Sequence, residues 1–215
     1  MSQILLDLAA GYLIGSIPFA YLLTRKTANV DIRVSGSGNV GGYNAFIVTR
    51  SKSVGIAVGV LDAAKGVAAV LVAEWFFPGS YLNQSVALAG AIVGHNYPVW
   101  IRFRGGRGLA TTAGGMIFLG LSYSVVWSIL WLIAKSLKRD ILTSNLVAIL
   151  LSPLVIAVLP WEWVRQLIYA RVDSASFIFF CCTVSILLLI SHLDAVRAIW
   201  KGVELKDTEP PQSTK

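Results

Sequence analysis

The chain is a succession of apolar runs, each close to the thickness of a bilayer, divided by short basic segments. The runs cover residues 4–23, 54–77, 84–100, 109–134, 141–159 and 174–191. A span needs about 20 predominantly apolar residues, and only helices or closed barrels satisfy every backbone group in hydrocarbon. Runs without strict alternation predict an all-α, polytopic integral membrane protein. Charged residues make up 13% of the chain and mean hydropathy is +0.71, against about 25% charged residues in soluble domains. No polar stretch is long enough for a separate soluble domain. Residues 1–206 therefore read as one transmembrane unit, and 207–215, rich in Pro, Glu, Lys and Ser/Thr, as a disordered cytoplasmic tail.

The placement of basic residues sets the expected span count. Five fall in 24–53, three in 102–107, three in 135–139 and four in the tail, together 15 of the 18. They share one side of the membrane if the run 109–134 turns back near Gly120. The positive-inside rule favours that arrangement. It predicts about seven transmembrane helices, two of them short, with the N-terminus outside and the C-terminus cytoplasmic. The first run holds Gly15, Ser16 and Pro18, which permit close packing and a kink. Pro153 interrupts the run 141–159, and 24–53 and 160–173 read as polar connections. Cys181 and Cys182 sit side by side in an apolar run and read as structural, not as a disulfide framework or a metal site.

Two segments on the basic face carry the chemistry. Residues 102–112 hold Arg102, Arg104 and Arg107 with Gly105, Gly106 and Gly108. Glycines let backbone N–H groups approach a ligand closely, and guanidinium forks suit phosphate. This is a candidate anion cradle, and it carries no sequence pattern for nucleic acid. Residues 35–44 hold Gly36, Gly38, Gly41 and Gly42 among Ser35, Ser37, Asn39 and Asn44. Alone, that composition favours a flexible turn. Paired with the arginine–glycine segment across two tight spans, it fits a phosphate pocket. Asp62 and Lys65 lie three residues apart inside a span, where ionisable groups are costly; a packing pair and a direct role both remain open. His95 reads either as a structural residue or as a substrate contact. No nucleophile–base pair and no metal-ligand spacing is visible.

These segments, taken in order, resemble a known family. Residues 12–19, 31–33, 36–41 and 61–66, then Gly94-His95-Asn96-Tyr97-Pro98 continuing into 103–111, and finally His192, Gly202 and Glu204, are similar to the PlsY-type glycerol-3-phosphate acyltransferases of bacteria. The match runs from about residue 4 to 206. The resemblance implies a multi-pass enzyme of the bacterial cytoplasmic membrane. Such enzymes move a fatty acyl group from acyl phosphate to the sn-1 hydroxyl of glycerol 3-phosphate, giving lysophosphatidic acid for phospholipid synthesis without metal or nucleotide cofactor. It implies Ser37, Arg107 and His192 as catalytic residues. It implies Gly36, Gly38, Asn39, Gly41, Asn44, His95, Arg104, Gly105, Gly106, Gly108 and Thr111 as substrate-binding. The partners implied are the two substrates and the lipid bilayer. Acyltransferases with a His-x4-Asp pair are excluded, because Trp100 follows His95 and Arg197 follows His192 at that spacing.

The chain departs from the family pattern at five places. Tyr43 stands for threonine, Ile47 for a phosphate-binding arginine, Arg107 for lysine, Ala195 for asparagine and Ala198 for arginine. Losing one charged contact to phosphate costs roughly 1.5–3 kcal/mol, so Ile47, Ala195 and Ala198 predict a weakened enzyme unless neighbours compensate. Arg50 and Arg197 are the expected substitutes. A catalytically impaired paralogue that binds lipid phosphates or a membrane partner is the second reading. An anion transporter is disfavoured, since no inverted repeat is visible and the polar loops gather on one face.

Overall fold

The computed structural model describes residues 2–137 and 140–200, apart from the side chains at 195, 198 and 199. The proposed tail, Gly202 and Glu204 lie outside the described residues, as do the side chains behind the Ala195 and Ala198 departures. The described chain is all-helical: α1 (Ser2–Gly15), α2 (Phe19–Ala28), α3 (Gly42–Thr49), α4 (Lys52–Phe76), α5 (Tyr81–Asn96), α6 (Leu109–Leu119), α7 (Leu121–Ser136), α8 (Ile141–Val158), α9 (Trp161–Arg165), α10 (Ser174–Ser191) and α11 (Leu193–Trp200). Four segments are long and apolar enough to cross a membrane: Ser2–Ala28, Lys52–Phe76, Ile141–Val158 and Ser174–Ser191.

Small residues set the packing. A Cβ on Gly11 or Gly15 of α1 would overlap the backbone of Ala87 or Ala91 on α5, and one on Gly90 or Gly94 would overlap Leu8 or Tyr12 in return. Gly66 of α4 faces the carbonyl of Thr111, and Gly114 of α6 faces that of Ala63. Lipid offers little hydrophobic reward for helix association, so this close backbone contact and its dispersion energy hold the pairs. The larger core lies among α5, α6, α8 and α10, where Leu88, Ile92, Met116, Ile149, Phe177 and Val184 are buried.

The first run breaks where expected, between α1 and α2, at residues 16–18. Pro18 has no N–H to continue the ladder. The loosened backbone is held from outside: Lys65 Nζ donates to the Ile17 carbonyl at 3.1 Å, and Trp100 Nε1 donates to Ser16 Oγ at 2.8 Å. The run 109–134 also divides at Gly120, whose φ of 167° and ψ of 79° end α6 and start α7. The start of α6 and the second half of α7 line one cavity, so the chain turns back there.

Three expected segments differ. Residues 24–53 are largely helical, because Ala45 and Val58 bury between α3 and α4 and Gly42 lets the helices approach. The connection 160–173 contains α9, which buries Val164. Pro153 does not interrupt α8. A lone proline costs one intrahelical bond, and Ser152 Oγ donates to the nearby Ala148 carbonyl at 2.6 Å.

Candidate active site

The two glycine-rich segments meet. Val40 N donates to Gly105 O at 3.3 Å, and Gly106 N donates to His95 O at 3.1 Å. Gly105 packs on the His95 and Asn96 carbonyls, and Gly106 lies against the His95 imidazole and the Val40 carbonyl; a Cβ at either would overlap them. Asn44, 1% exposed at the start of α3, organises the first segment. Its Oδ1 accepts from Ser37 N at 3.0 Å, while its Nδ2 donates to Ser35 O at 3.1 Å and Asn39 O at 2.9 Å. Gly36 and Gly38, at φ +60° and +75°, bend the chain around that amide. At the entrance to this segment Arg33 pairs with Asp31 at 2.7 Å. The hydrogen bond from Arg33 holds the Asp31 carboxyl down to about 2.

Beneath the junction lies a buried ionic cluster. Lys65 Nζ is 3.0 Å from Asp62 Oδ1, and His95 Nδ1 is 3.6 Å from the same oxygen. Asp62 and Lys65 therefore act as a buried pair that also fixes the α1–α2 break, one of the two roles the sequence left open.

Two cavities open on this framework. A polar one of about 330 Å³ is lined by Ser37, Gly38, Asn39, Asn96, Tyr97, Gly105, Gly106 and Arg107, closed by Ser191, Leu193 and Asp194. A mostly apolar one of about 860 Å³ runs along one face of α4, from Lys52 through Gly55, Ile56 and Gly59 to Asp62, and is also lined by Trp127, Trp131, Ile141 and Leu142. Ser37, Asn39 and Arg107 line both. Arg107 Nη2 contacts Asp194 at 2.8 Å, leaving most of its five donors for a ligand.

The other expected site residues divide by place. Gly41, Asn44, His95 and Gly108 line the apolar cavity, and Gly38, Gly105 and Gly106 the polar one. Gly36 packs behind, against Asn44. Thr111 is buried in α6, its carbonyl against Gly66. Arg50, the left-handed C-cap of α3, and Arg104 are exposed and line neither cavity. Ile47 lines neither cavity. His192 is fully buried behind the polar cavity: its Nδ1 donates to Leu188 O at 2.7 Å, and Nε2 has no partner among the described residues. Burial pushes its imidazole down to about 4. Beside it, Ser191 Oγ donates to the Arg107 carbonyl at 3.0 Å. Sequence reasoning missed Asn96, Asp194, Lys52 and the two tryptophans. The spacing 52, 55, 56, 59, 62 on one helical face was the readable signal for the apolar wall. Among the described residues no cluster gathers three metal-ligating side chains.

A family model described as glycerol-3-phosphate acyltransferase matches residues 5–202. The chain belongs to that family. The resemblance read from its motifs is thereby borne out. The chain is 36% identical over 199 residues to a glycerol-3-phosphate acyltransferase of Brucella canis, covering 91% of this chain and 89% of the relative. It is 40% identical over 153 residues to one of Gluconobacter oxydans, covering 71% and 72%. Its fold is similar to the crystal structure of PlsY (YgiH), an integral membrane glycerol 3-phosphate acyltransferase, in its glycerol 3-phosphate form, with TM-score 0.73, 26% identity and 94% of each chain covered. The lysophosphatidic acid form gives TM-score 0.72 at the same identity, with 94% of this chain and 93% of that chain covered. The chain is thus an all-helical membrane acyltransferase.

Proposed function

We propose that this chain transfers a fatty acyl group from an acyl phosphate to the sn-1 hydroxyl of glycerol 3-phosphate, releasing lysophosphatidic acid and inorganic phosphate for phospholipid synthesis. The observation that carries the reading is the junction of a polar and an apolar cavity at Ser37, Asn39 and Arg107. A small phosphorylated acceptor fits the first, an acyl tail the second, and the reacting groups then meet at the shared residues. Holding two reactants in this way removes much of the entropic barrier.

At the junction the sn-1 oxygen attacks the acyl carbonyl carbon, the bond from that carbon to the phosphate oxygen breaks, and the hydroxyl proton leaves on a phosphate oxygen. Arg107 and the Ser37 hydroxyl stabilise the negative charge that develops on carbonyl and phosphate oxygens. Backbone N–H groups at Gly38, Gly105 and Gly106, with Asn39, hold the phosphates. Asn44, His95 and Gly36 keep that backbone in shape, and His192, behind Ser191, positions Arg107. No general base is required, because the substrates bring their own phosphate oxygens.

Residues 1–206 act as one unit in the bacterial cytoplasmic membrane. It crosses seven times, through α1, α4, α5, α6, α7, α8 and α10, with the N-terminus outside and the C-terminus cytoplasmic. The ends of α5, α7 and α10 and the starts of α4, α6 and α8 all line the site cavities, which supports alternating passes. Arg25, Lys26, Arg33, Arg50, Lys52, Arg102, Arg104 and Arg107 fall on that same side, which supports a cytoplasmic site.

Purified protein given labelled glycerol 3-phosphate and hexadecanoyl phosphate tests the reading. Lysophosphatidic acid forms with the wild type and drops at least about a hundredfold in Arg107→Ala. Substrate binding without product would favour the impaired paralogue instead.

A further inference from the structure

Glycine inside a helix costs about 0.5–1 kcal/mol relative to alanine, so a helical glycine calls for a reason. At Gly11, Gly15, Gly66, Gly90, Gly94 and Gly114 the reason is a neighbouring backbone that leaves no room for a Cβ. Gly55 meets Phe46 Cβ at 2.8 Å, and Gly115 meets the Leu88 side chain. Gly59 is different. A Cβ there has no atom within 4 Å, and the position faces the apolar cavity. What the missing side chain leaves open is the cavity itself.

Another part of the lining comes from α7. Trp127 and Trp131 of α7 stack with centroids 6.4 Å apart and planes 18° from parallel, and both line the cavity. Along α4 the cavity runs from Lys52 to Asp62, about 15 Å at the helical rise. Gly59 lies between those ends, so a side chain at 59 would narrow the cavity part-way along its length.

We propose that Gly59, which shares the apolar cavity with the Trp127–Trp131 stack, determines which acyl chains the enzyme accepts: its missing side chain is the passage that long chains occupy. This rests on the acyl-transfer reading above. Gly59→Leu fills the passage and disfavours long chains, whereas Trp131→Ala widens it and favours them. Val60, exposed on the same helix and absent from the cavity wall, supplies the control.

The experiment measures kcat/KM for decanoyl and hexadecanoyl phosphate, and in parallel their Kd by calorimetry, for wild type, Gly59→Leu, Trp131→Ala and Val60→Leu. The long-to-short ratio should fall about tenfold or more in Gly59→Leu, rise in Trp131→Ala and stay put in Val60→Leu. If Gly59→Leu folds poorly, the rise in Trp131→Ala still decides the matter. An unchanged ratio in folded variants overturns the proposal, because the tail would then leave the cavity for the bilayer. A wild type that binds both donors and transfers neither defeats the acyl-transfer reading, while the Kd ratios still decide the role of Gly59.

Discussion

The amide of Val40 donates to the carbonyl of Gly105 at 3.3 Å, joining the two glycine-rich segments backbone to backbone. Their junction is thus a main-chain contact within the fold. Ser37, Asn39 and Arg107 meet across it. A site held by main-chain contacts makes activity sensitive to substitutions that never touch a substrate.

Gly106→Ala is one. Its Cβ would overlap the His95 imidazole and approach Val40 O at 2.6 Å. The expected outcome is loss of acyl transfer by about a hundredfold or more, since misplacement by about 1 Å is enough for that. Gly79→Ala is the contrast: φ is +74° there and the space is open, so it costs about 1–2 kcal/mol of backbone strain and leaves turnover intact. Turnover and thermal unfolding of both variants in detergent check this; similar activities would refute it.

Asn44→Ala removes the amide that three backbone groups of the first segment share. Each buried group left unpaired costs about 1–3 kcal/mol. The variant should unfold at lower temperature and show a raised KM for glycerol 3-phosphate, because the Ser37 and Asn39 backbone loses its template. A normal KM would mean that the loop holds its own shape.

How far these features were legible in the sequence depends on their range. The helical class and the break at Pro18 follow from local chemistry, a missing donor at the proline, while the turn at Gly120 follows from the side that the basic residues share. α3 was unreadable as a helix, because it is stabilised by Ala45 and Gly42 packing on α4, a tertiary effect that its glycines and polar neighbours conceal. Arg107, Ser37 and the glycine loops were visible by residue type. Arg50 was the natural substitute for the arginine that Ile47 replaces; it sits exposed at the left-handed cap of α3 and is not among the residues lining either cavity. His192 was visible by residue type as well, but its burial behind the lining, with Nδ1 donating to Leu188 O, follows from packing. Only three-dimensional placement separates a residue in a pocket from one behind its wall.

Lys65→Met leaves Asp62 without its 3.0 Å partner and the Ile17 carbonyl without its donor. Breaking one side of a buried pair costs about 3–5 kcal/mol, whereas replacing both charges is often neutral. Lys65→Met and Asp62→Asn should each lower the unfolding temperature, and the double variant should recover much of the loss. Additive losses in this double-mutant cycle, read by thermal unfolding in one detergent, would show that the two side chains act independently.

His192 is fully buried and its imidazole is pushed down to about 4, chiefly by burial and then by the Arg107 charge, against the backbone bond to Leu188 and Asp194. In the unfolded chain an imidazole titrates near 6.5. Between those values the unfolded state binds more protons, so the stability contributed by neutral His192 is complete above about pH 6.5 and lost as pH falls towards 4. From pH 7 to pH 5 the loss is about 2 kcal/mol. Unfolding of wild type and His192→Gln across that range measures it as the difference in slope. Equal slopes would place the proton on the folded imidazole after all. Since His192 stays neutral in the fold above pH 5, acyl transfer should show no ionisation from this residue between pH 6 and 8. Its substitution should lower kcat through Arg107 without moving the pH profile.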